Sequence, residues 1–500
     1  MSGRTLNCIA FDLGASGGKV ILGAYQQGRL SLSKVYRFSN SPILLADHIY
    51  WDFLRLFEEV KKGLQLAYKA ADGQVASIGI DTWGTDCGFL DKSDHLLGNP
   101  FSYRDPRTNG MMEKAFQKMP RKEIFSRTGG QFMQHNTLYQ LFSMVQADAR
   151  VFDSIGTFLM IPDLFNFYLS GKKGCEFTNA TTTQFYNART FTWDKDILQS
   201  MGIPPSIFPV IIPSGTILGN LAPWLCQELE IKSVPVVAVA THDTASAFSA
   251  VPSTEKDFAF LSSGTWSLLG AEVPSPVINE IGLKYNFSNY GRACGTWGIW
   301  KNIQALWLLQ ECMRSWTGEG KNHSHEDIIQ LANQAKPLGP ILDSDDLTFF
   351  TPGDFPARIG TYCQRTGQTP PEGEGAIVRC ILESLALKYR YTFEQLQEVV
   401  DKKLNQLCVI GGGSRNWLLN QFTSEAIGIP LKAGPVEATA IGNIMQQLVA
   451  LKEMDNLEDC RKVIQASFET DSFESSRSDA WEQAYGRYLE VIRKSKTFNQ

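Results

Sequence analysis

The sequence has no long hydrophobic run. Its apolar stretches are short, the first ending at Asp12, and none approaches the roughly 18 residues that a membrane helix needs. The opening MSGRTLNCIAFDLG lacks the apolar core of a secretory signal. The expected location is therefore the cytoplasm, with no membrane partner. No C-x-x-C pair is present either. The ten cysteines are scattered, and several, such as Cys8 and Cys408, sit in apolar strand-like runs. There a free Cys acts as a small hydrophobe, which suits a reducing compartment. Cys363 and Cys380 are expected as two isolated thiols. No basic stripe stands out, and the formal net charge of −5 is small for 500 residues. Nucleic acid is not an expected partner. The one tight cluster of metal-ligand types, HSHED at 323–327, follows the polar TGEGKN. It reads as a solvated loop or a helix start.

What is present is ordinary globular material, 43% hydrophobic and 20% charged, enough for two to four domains. NCIAFDL, GASGG, KVILGAY, QQG and RLSLSKVYRF read as three strands joined by turns. WDFLRLFEEVKKGLQLAYKAA then reads as a helix, with Phe53, Phe57, Val60, Leu64, Ala67 and Tyr68 on one face. VASIGID is a short buried strand running into TWGTD. Strand, strand, strand, helix, strand predicts a mixed sheet packed with helices. The pattern restarts at DFAFLSSGTWSLLGAE (257–272) and continues in NQLCVIGGGSRN and PVEATAIGN. Two halves opening on a strand–Gly turn–strand hairpin predict a duplicated α/β fold. We place the boundary at VPST, Val251 to Thr254, giving domains 1–250 and 251–500. No low-complexity linker separates them, so they are expected to pack around a cleft.

VAVATHDTASAF (237–248) ends a buried strand on His242 and Asp243. A carboxylate there costs several kcal/mol unless held. It either caps a helix starting near Thr244 or is a general base at the carboxyl end of a strand. DLGASGGK (12–19) fails as a P-loop, because its glycines are too close and Val20 stands where Ser or Thr is required. It formally matches G-x-S-x-G with Ser16 as nucleophile, but an elbow needs a helix next, and KVILGAY reads as a strand. The remaining readings are a plain hairpin, or a turn whose N–H groups cup a phosphate beside Asp12. SSGTWS (262–267) has the same logic, and the three glycines of IGGGSRN (410–416) allow an anionic ligand close to the backbone. Together the three Gly turns can clamp a nucleotide. Asp243 then has a role as acceptor of a hydroxyl proton during phosphoryl transfer.

In order over nearly the whole chain, DLGASGGK, DTWGTD, THDTASA, LSSGTWSL, VIGGGSRN and AGPVEATAIGN resemble the FGGY carbohydrate kinases. YRDPRTNGMM, NTLYQL, TNATTTQ and WKNIQALWLLQ belong to the same resemblance. It implies two actin-like, ribonuclease-H-type domains around an interdomain cleft that takes ATP, Mg²⁺ and a sugar. The implied reaction is transfer to O1 of a ketose, L-rhamnulose first, with L-fuculose as an alternative. A non-catalytic nucleotide-binding sensor is the rival of another class, and THDTASA speaks against it.

Carried onto this chain, Ala15, Ser16, Gly17, Gly18 and Lys19 resemble the first phosphate segment. Asp243 resembles the proton acceptor, with His242, Thr244 and Gly84 as sugar contacts. Thr265 resembles a γ-phosphate contact, Asn302 and Gln310 nucleotide-side contacts, and Gly411, Gly412 and Gly413 the adenosine site. Lys19 departs from the Arg common in the family, exchanging a bidentate fork for a point charge. From the residues themselves, Asp12 is expected to hold Mg²⁺ through water. Trp83 is a stacking platform or a core aromatic, and Asp86 a sugar ligand or a turn cap. Arg104 and Asp105 are expected to pair with each other. The expected partners are a sugar and a nucleotide, with the chain a monomer or homodimer.

Overall fold

The structure, a computed structural model, describes residues 4–253, 255, 257–476 and 478–498. Thr254, the last residue of the expected boundary, lies outside them. The chain forms two compact units. The first comprises Met1–Thr254, Glu272–Ile299 and Glu437–Phe468, the second Glu255–Ala271, Trp300–Val436 and Glu469–Gln500. Two later segments, Glu272–Ile299 and Glu437–Phe468, thus pack with the first unit. Among the described residues no helix is long and apolar enough to cross a membrane.

The first unit is built on a six-stranded mixed sheet. Its order is Thr216–Asn220, Pro235–Ala238, Ser77–Thr82, Leu6–Gly14, Gly17–Gln26 and Arg29–Ser39. The last three form antiparallel neighbours, and Ser77–Thr82 runs parallel to Leu6–Gly14 with Asp81 opposite Asp12. The strand Ser77–Thr82 is buried throughout, so its one acid is as anomalous as Asp243. The helix Phe53–Ala70 starts on Asp52, whose side chain accepts the Arg55 N–H, and buries Phe53, Leu56, Phe57, Val60, Gly63, Leu64 and Ala67. Tyr68 of the expected face is only half-buried.

The helix Ala438–Ala450 returns to this sheet from far along the chain. A Cβ on Gly442 would lie 1.8 Å from the Ser246 carbonyl oxygen. The bare backbone there lets the helix rest directly on the helix Asp243–Ser249. Its inward amides are i,i+4 neighbours on one face. Asn443 Nδ2 donates to Asp81 Oδ2 (2.6 Å) and Gln447 Nε2 to the Ile9 carbonyl (3.0 Å). Gln447 Oε1 accepts from Ser77 Oγ at 2.7 Å.

In the second unit, Phe258–Ser263 pairs antiparallel with Trp266–Val273 and parallel with Gln406–Ile410. Gln406–Ile410 in turn runs parallel to Leu431–Ala433. The hairpin-then-parallel order matches the first unit, as the duplicated motifs predict. The 27-residue helix Glu374–Val400 is buried along most of its length, and Tyr389 Oη lies 2.7 Å from Ser267 Oγ.

Gly442→Ala is expected to destabilise the protein by about 1–3 kcal/mol, the usual cost of overpacking. Gly486 lies in the helix Asp479–Phe498 with nothing within 4 Å of an added Cβ. Gly486→Ala should therefore be neutral or stabilising by up to about 1 kcal/mol through helix propensity. Denaturant unfolding of the two variants should give shifts of opposite sign, and equal shifts would contradict the packing account.

Candidate active site

In the first unit, Asp12 ends an apolar strand at a hairpin whose register pairs Asp12 with Lys19 and Gly14 with Gly17. The segment after Ser16 is a strand, Gly17–Gln26, so the nucleophile-elbow geometry is absent there. Asn40 closes the turn, its N–H donating to the Ser16 carbonyl (3.2 Å) and its side chain to the Gly14 carbonyl (3.0 Å). Gly18 is required by close approach, since a Cβ would meet the Phe38 ring at 2.2 Å. A cavity of about 440 Å³ opens beside the turn, lined by residues 16–19 and 37–39. Ser16, Gly17, Gly18 and Lys19 thus face one space, with Arg37 on the neighbouring strand.

Lys19 Nζ lies 3.1 Å from Glu437 Oε2 and 3.6 Å from Asp12 Oδ2. Glu437 Oε1 lies 2.7 Å from Lys34 Nζ. Burial opposes the charge on Glu437, but the two lysines prevail and hold its carboxyl below the usual range. Burial raises Asp12, with Lys19 opposing and Glu437 adding to the rise.

The strand Pro235–Ala238 leads to Thr241, whose carbonyl accepts the Thr82 N–H at 2.9 Å. Asp243 opens the helix Asp243–Ser249, and its Oδ1 accepts the Thr244 N–H (2.5 Å) and hydroxyl (3.1 Å). The capping reading is not realised, because the helix starts on Asp243 itself with His242 at the N-cap, and the Asp243 side chain stays 28% exposed. Burial first, and the charge of Asp12 second, push Asp243 up to about 7. Burial also lifts Asp81 well above the carboxylate range, with Asp12 adding to it and the Asn443 hydrogen bond opposing. His242 is pushed down to about 4 by burial, so its ring is neutral at pH 7. Its Nε2 lies 3.7 Å from Asp243 Oδ1.

Gly84 stands between Thr182 and His242, since an added Cβ would lie 3.1 Å from Thr182 Cγ2 and 3.3 Å from the imidazole. Trp83 is buried, its ring centroid 4.4 Å from that of Trp51. Asp86 Oδ2 accepts from Trp51 Nε1 (2.6 Å), Trp83 Nε1 (2.9 Å) and the Tyr103 N–H (3.1 Å). Its Oδ1 accepts from Gln140 Nε2 at 2.8 Å. Those donors match the roughly four lone-pair sites of a carboxylate. Arg104 is not the partner of Asp105. Asp105 lies 3.5 Å from Arg107 Nη1 and 3.2 Å from His48 Nδ1, and accepts the Ile49 N–H at 2.6 Å.

In the second unit, Thr265 Oγ1 donates to Gln310 Oε1 at 3.1 Å. The Thr265 carbonyl accepts the N–H groups of Ala305 (3.3 Å) and Trp307 (3.2 Å). Asn302 is half-buried on the strand Trp297–Gln304, just before that contact. Gly411 has φ +83°, and a Cβ on Gly413 would lie 2.1 Å from Ser263 Oγ. Thr265, Gln310 and the turn of Gly411, Gly412 and Gly413 therefore gather at the Ser263 end of one strand. The cluster at 323–327 is a helix start, with Ser324 forming a capping box with Asp327 and His323 Nε2 2.6 Å from Glu374 Oε2. Among the described residues no group of three or more His, Cys, Asp or Glu could hold a metal ion. Among the described residues no cysteine is in a disulfide, Cys363 and Cys380 included.

Sequence reasoning did not single out Asp81, Arg37, Glu437 or Asn443. Asp81 carried a signal, an acid inside an apolar run. Glu437 and Asn443 lie in the quoted AGPVEATAIGN, but their partners are in the opening strands.

Residues 7–249 match the N-terminal domain, and residues 259–451 the C-terminal domain, of the FGGY family of carbohydrate kinases. The chain belongs to this family. It is an enzyme, a sugar kinase, and kinase chemistry implies ATP as the phosphoryl donor. A rhamnulokinase of Bacteroides thetaiotaomicron is 40% identical over 487 residues, 97% of this chain and 99% of the relative. A rhamnulokinase of Oceanobacillus iheyensis is 39% identical, covering 92% of this chain and 97% of the relative. Among solved structures, a ligand-bound xylulose kinase from Lactobacillus acidophilus aligns with TM-score 0.81 at 17% identity, over 97% of this chain and 98% of that one. A Plasmodium falciparum glycerol kinase with ADP aligns with TM-score 0.76 at 15% identity, over 99% and 98%. The likeness to these two structures is one of fold.

Between the ordinary carboxylate range and about pH 7 the folded protein holds a proton on Asp243 that the unfolded chain has released. Stability therefore falls as pH rises through that window and stays lower above it. Asp243→Asn removes this loss, so the variant should be more stable than wild type above about pH 7 and equal to it near pH 4. The same variant should lose about 10²–10⁴-fold in turnover. Thermal unfolding and steady-state rates across pH check both, and a variant with wild-type kcat would remove Asp243 as the base.

Proposed function

We propose that the chain transfers the γ-phosphoryl group of ATP to O1 of L-rhamnulose, giving L-rhamnulose 1-phosphate and ADP in L-rhamnose catabolism. The observation that carries this reading is Asp243, a reachable carboxylate lifted to about 7 beside His242 and near Gly84. The rhamnulokinase relatives, 39–40% identical over nearly the whole chain, support the substrate.

In the proposed reaction Asp243 takes the O1 proton as the O1–phosphorus bond forms. The bond from the γ-phosphorus to the bridging oxygen breaks, and ADP leaves with that electron pair. His242 is neutral, and with Thr244 and Gly84 it is assigned to binding the sugar. Residues 15–19 are assigned to the phosphates. Thr265, Asn302 and Gln310 are assigned to the nucleotide, and Gly411, Gly412 and Gly413 to the adenosine. In domain terms, 1–250 would hold the sugar and first phosphate loop, and 251–500 the second loop and adenosine.

Asp12 adds to the rise of both Asp81 and Asp243, a repulsion that a nearby cation would relieve. Asp12 would hold Mg²⁺ through water, and the ion when bound would neutralise phosphate charge. Trp83 is assigned to the methyl end of the 6-deoxy sugar. Its N–H is committed to Asp86, so it offers the sugar only an apolar surface, and Asp86 is assigned to holding the two indoles. The proposed setting is the cytoplasm, with the chain a monomer or homodimer.

A coupled ADP-release assay over ketoses and aldoses tests the reading. We expect the highest kcat/KM for L-rhamnulose. Ketoses differing only at the methyl end should come next, because an apolar pocket rejects an added hydroxyl by only about 10²-fold. Sugars epimeric near the transferred phosphate should be far worse, since they leave buried partners unpaired. A clearly higher kcat/KM for L-fuculose or D-xylulose would overturn the substrate assignment.

A further inference from the structure

The segment CEFTNATTTQ (175–184) contributes no group to the proposed chemistry, yet it touches the two turns assigned to the base and the sugar, at Thr241–His242 and at Gly84–Thr85. Glu176 is fully buried, and its Oε2 accepts from Thr178 Oγ1 (2.5 Å), Thr241 N (3.0 Å), Thr241 Oγ1 (2.9 Å) and Asn179 N (3.4 Å). Thr178 Oγ1 in turn accepts the His242 N–H at 3.1 Å. On the opposite side of the same backbone, Thr82 N–H donates to the Thr241 carbonyl. The two residues before Asp243 are thus gripped from both sides. Further along, Thr182 Oγ1 accepts the Thr85 N–H at 3.1 Å, and its methyl group faces Gly84. Glu176 is itself fixed, its N–H donating to the buried Asp163 at 3.1 Å.

A buried carboxylate is a costly way to fill space. Four donors converging on one oxygen instead define a single arrangement of the chain around it. We propose that Glu176 and Thr178 are positioning residues for phosphoryl transfer, setting the placement of Asp243 and of the Gly84–His242 surface on which the sugar rests. They touch neither substrate, and act only through the backbone of Thr241 and His242. This rests on the assignment of Asp243 as the base for a ketose hydroxyl.

Placement errors near 1 Å cost on the order of 10²-fold in rate. Thr178→Val keeps the shape but removes the acceptor for His242 N–H and the donor to Glu176. It should lower kcat/KM for L-rhamnulose by roughly 10²-fold, lowering kcat and raising the sugar KM. The KM for ATP should not move, because none of the residues assigned to ATP is among the hydrogen-bond partners of Glu176 or Thr178. Thr178→Ser retains the hydroxyl and should restore the sugar parameters. Thermal unfolding reports whether the Val variant folds. Should it fail to, Glu176→Gln, which keeps the shape and an acceptor oxygen but loses the charge, is read on the same split. A folded variant with wild-type kcat and sugar KM would overturn the proposal. So would equal impairment of the Ser and Val variants, which would mark a packing effect. A wild-type enzyme that releases no ADP with any ketose would instead sink the functional reading.

Discussion

Parallel pairing of two strands forces two carboxylates together, and much of the first unit follows from that crowding. Asp12 and Asp81 are register partners on adjacent strands, so their side chains leave the sheet on the same face. Asp243 is close enough to raise Asp81 further and to be raised by Asp12. Like charges in a partly desolvated site cannot all ionise freely. The outcome is graded: Asp81 is raised well above its ordinary value, Asp243 is raised to about 7, and Asp12 keeps Lys19 at 3.6 Å. A hydroxyl proton needs an acceptor that is ionised but not too weak a base, and Asp243 is the member of the set left in that range.

The crowding is tolerated because other groups hold the acids in place. Asn443 gives Asp81 its hydrogen bond, and Glu437, just before the same helix, draws Lys19 and Lys34 to the hairpin. Both come from the segment Glu437–Phe468, which packs with the first unit although it follows most of the second along the chain. Its approach depends on absent side chains. Ile444 fits over Gly23, Asn443 over Gly79, and the helix backbone at Gly442 over Ser246. Two of these glycines are on the strands and one on the helix, and the same close contact brings Asn443 to Asp81.

The elements close in sequence were legible. Alternation and Gly turns place the three opening strands and the second hairpin, and the apolar stripe places the helix Phe53–Ala70. Asp243 was legible because a charge ending a buried strand is costly, and Asp81 carried the same signal unread. What could not be read was pairing at a distance. The sequence YRDPRT suggests an Arg104–Asp105 contact, but the chain presents His48 and Arg107 instead. Asp86 looked equally suited to a sugar or a turn, and only the fold shows two indoles reaching it. Glu437 and Lys19 are 418 residues apart, and no local pattern joins them.

The charge balance that results suits a polyanionic substrate. Asp12 and Glu437 are matched by Lys19 and Lys34, His242 is neutral near pH 7, and burial and Asp12 push Asp81 toward its neutral form. Asp243 contributes at most one negative charge, and Arg37 faces the cavity beside the turn. Three clustered aspartates would otherwise repel a triphosphate. Lys19 suits this arrangement. Its ammonium carries three donors on one point charge, which lets it lie near Glu437 and Asp12 with donor capacity left for a phosphate oxygen. A planar guanidinium engaged by both acids would have less freedom to turn toward the cavity.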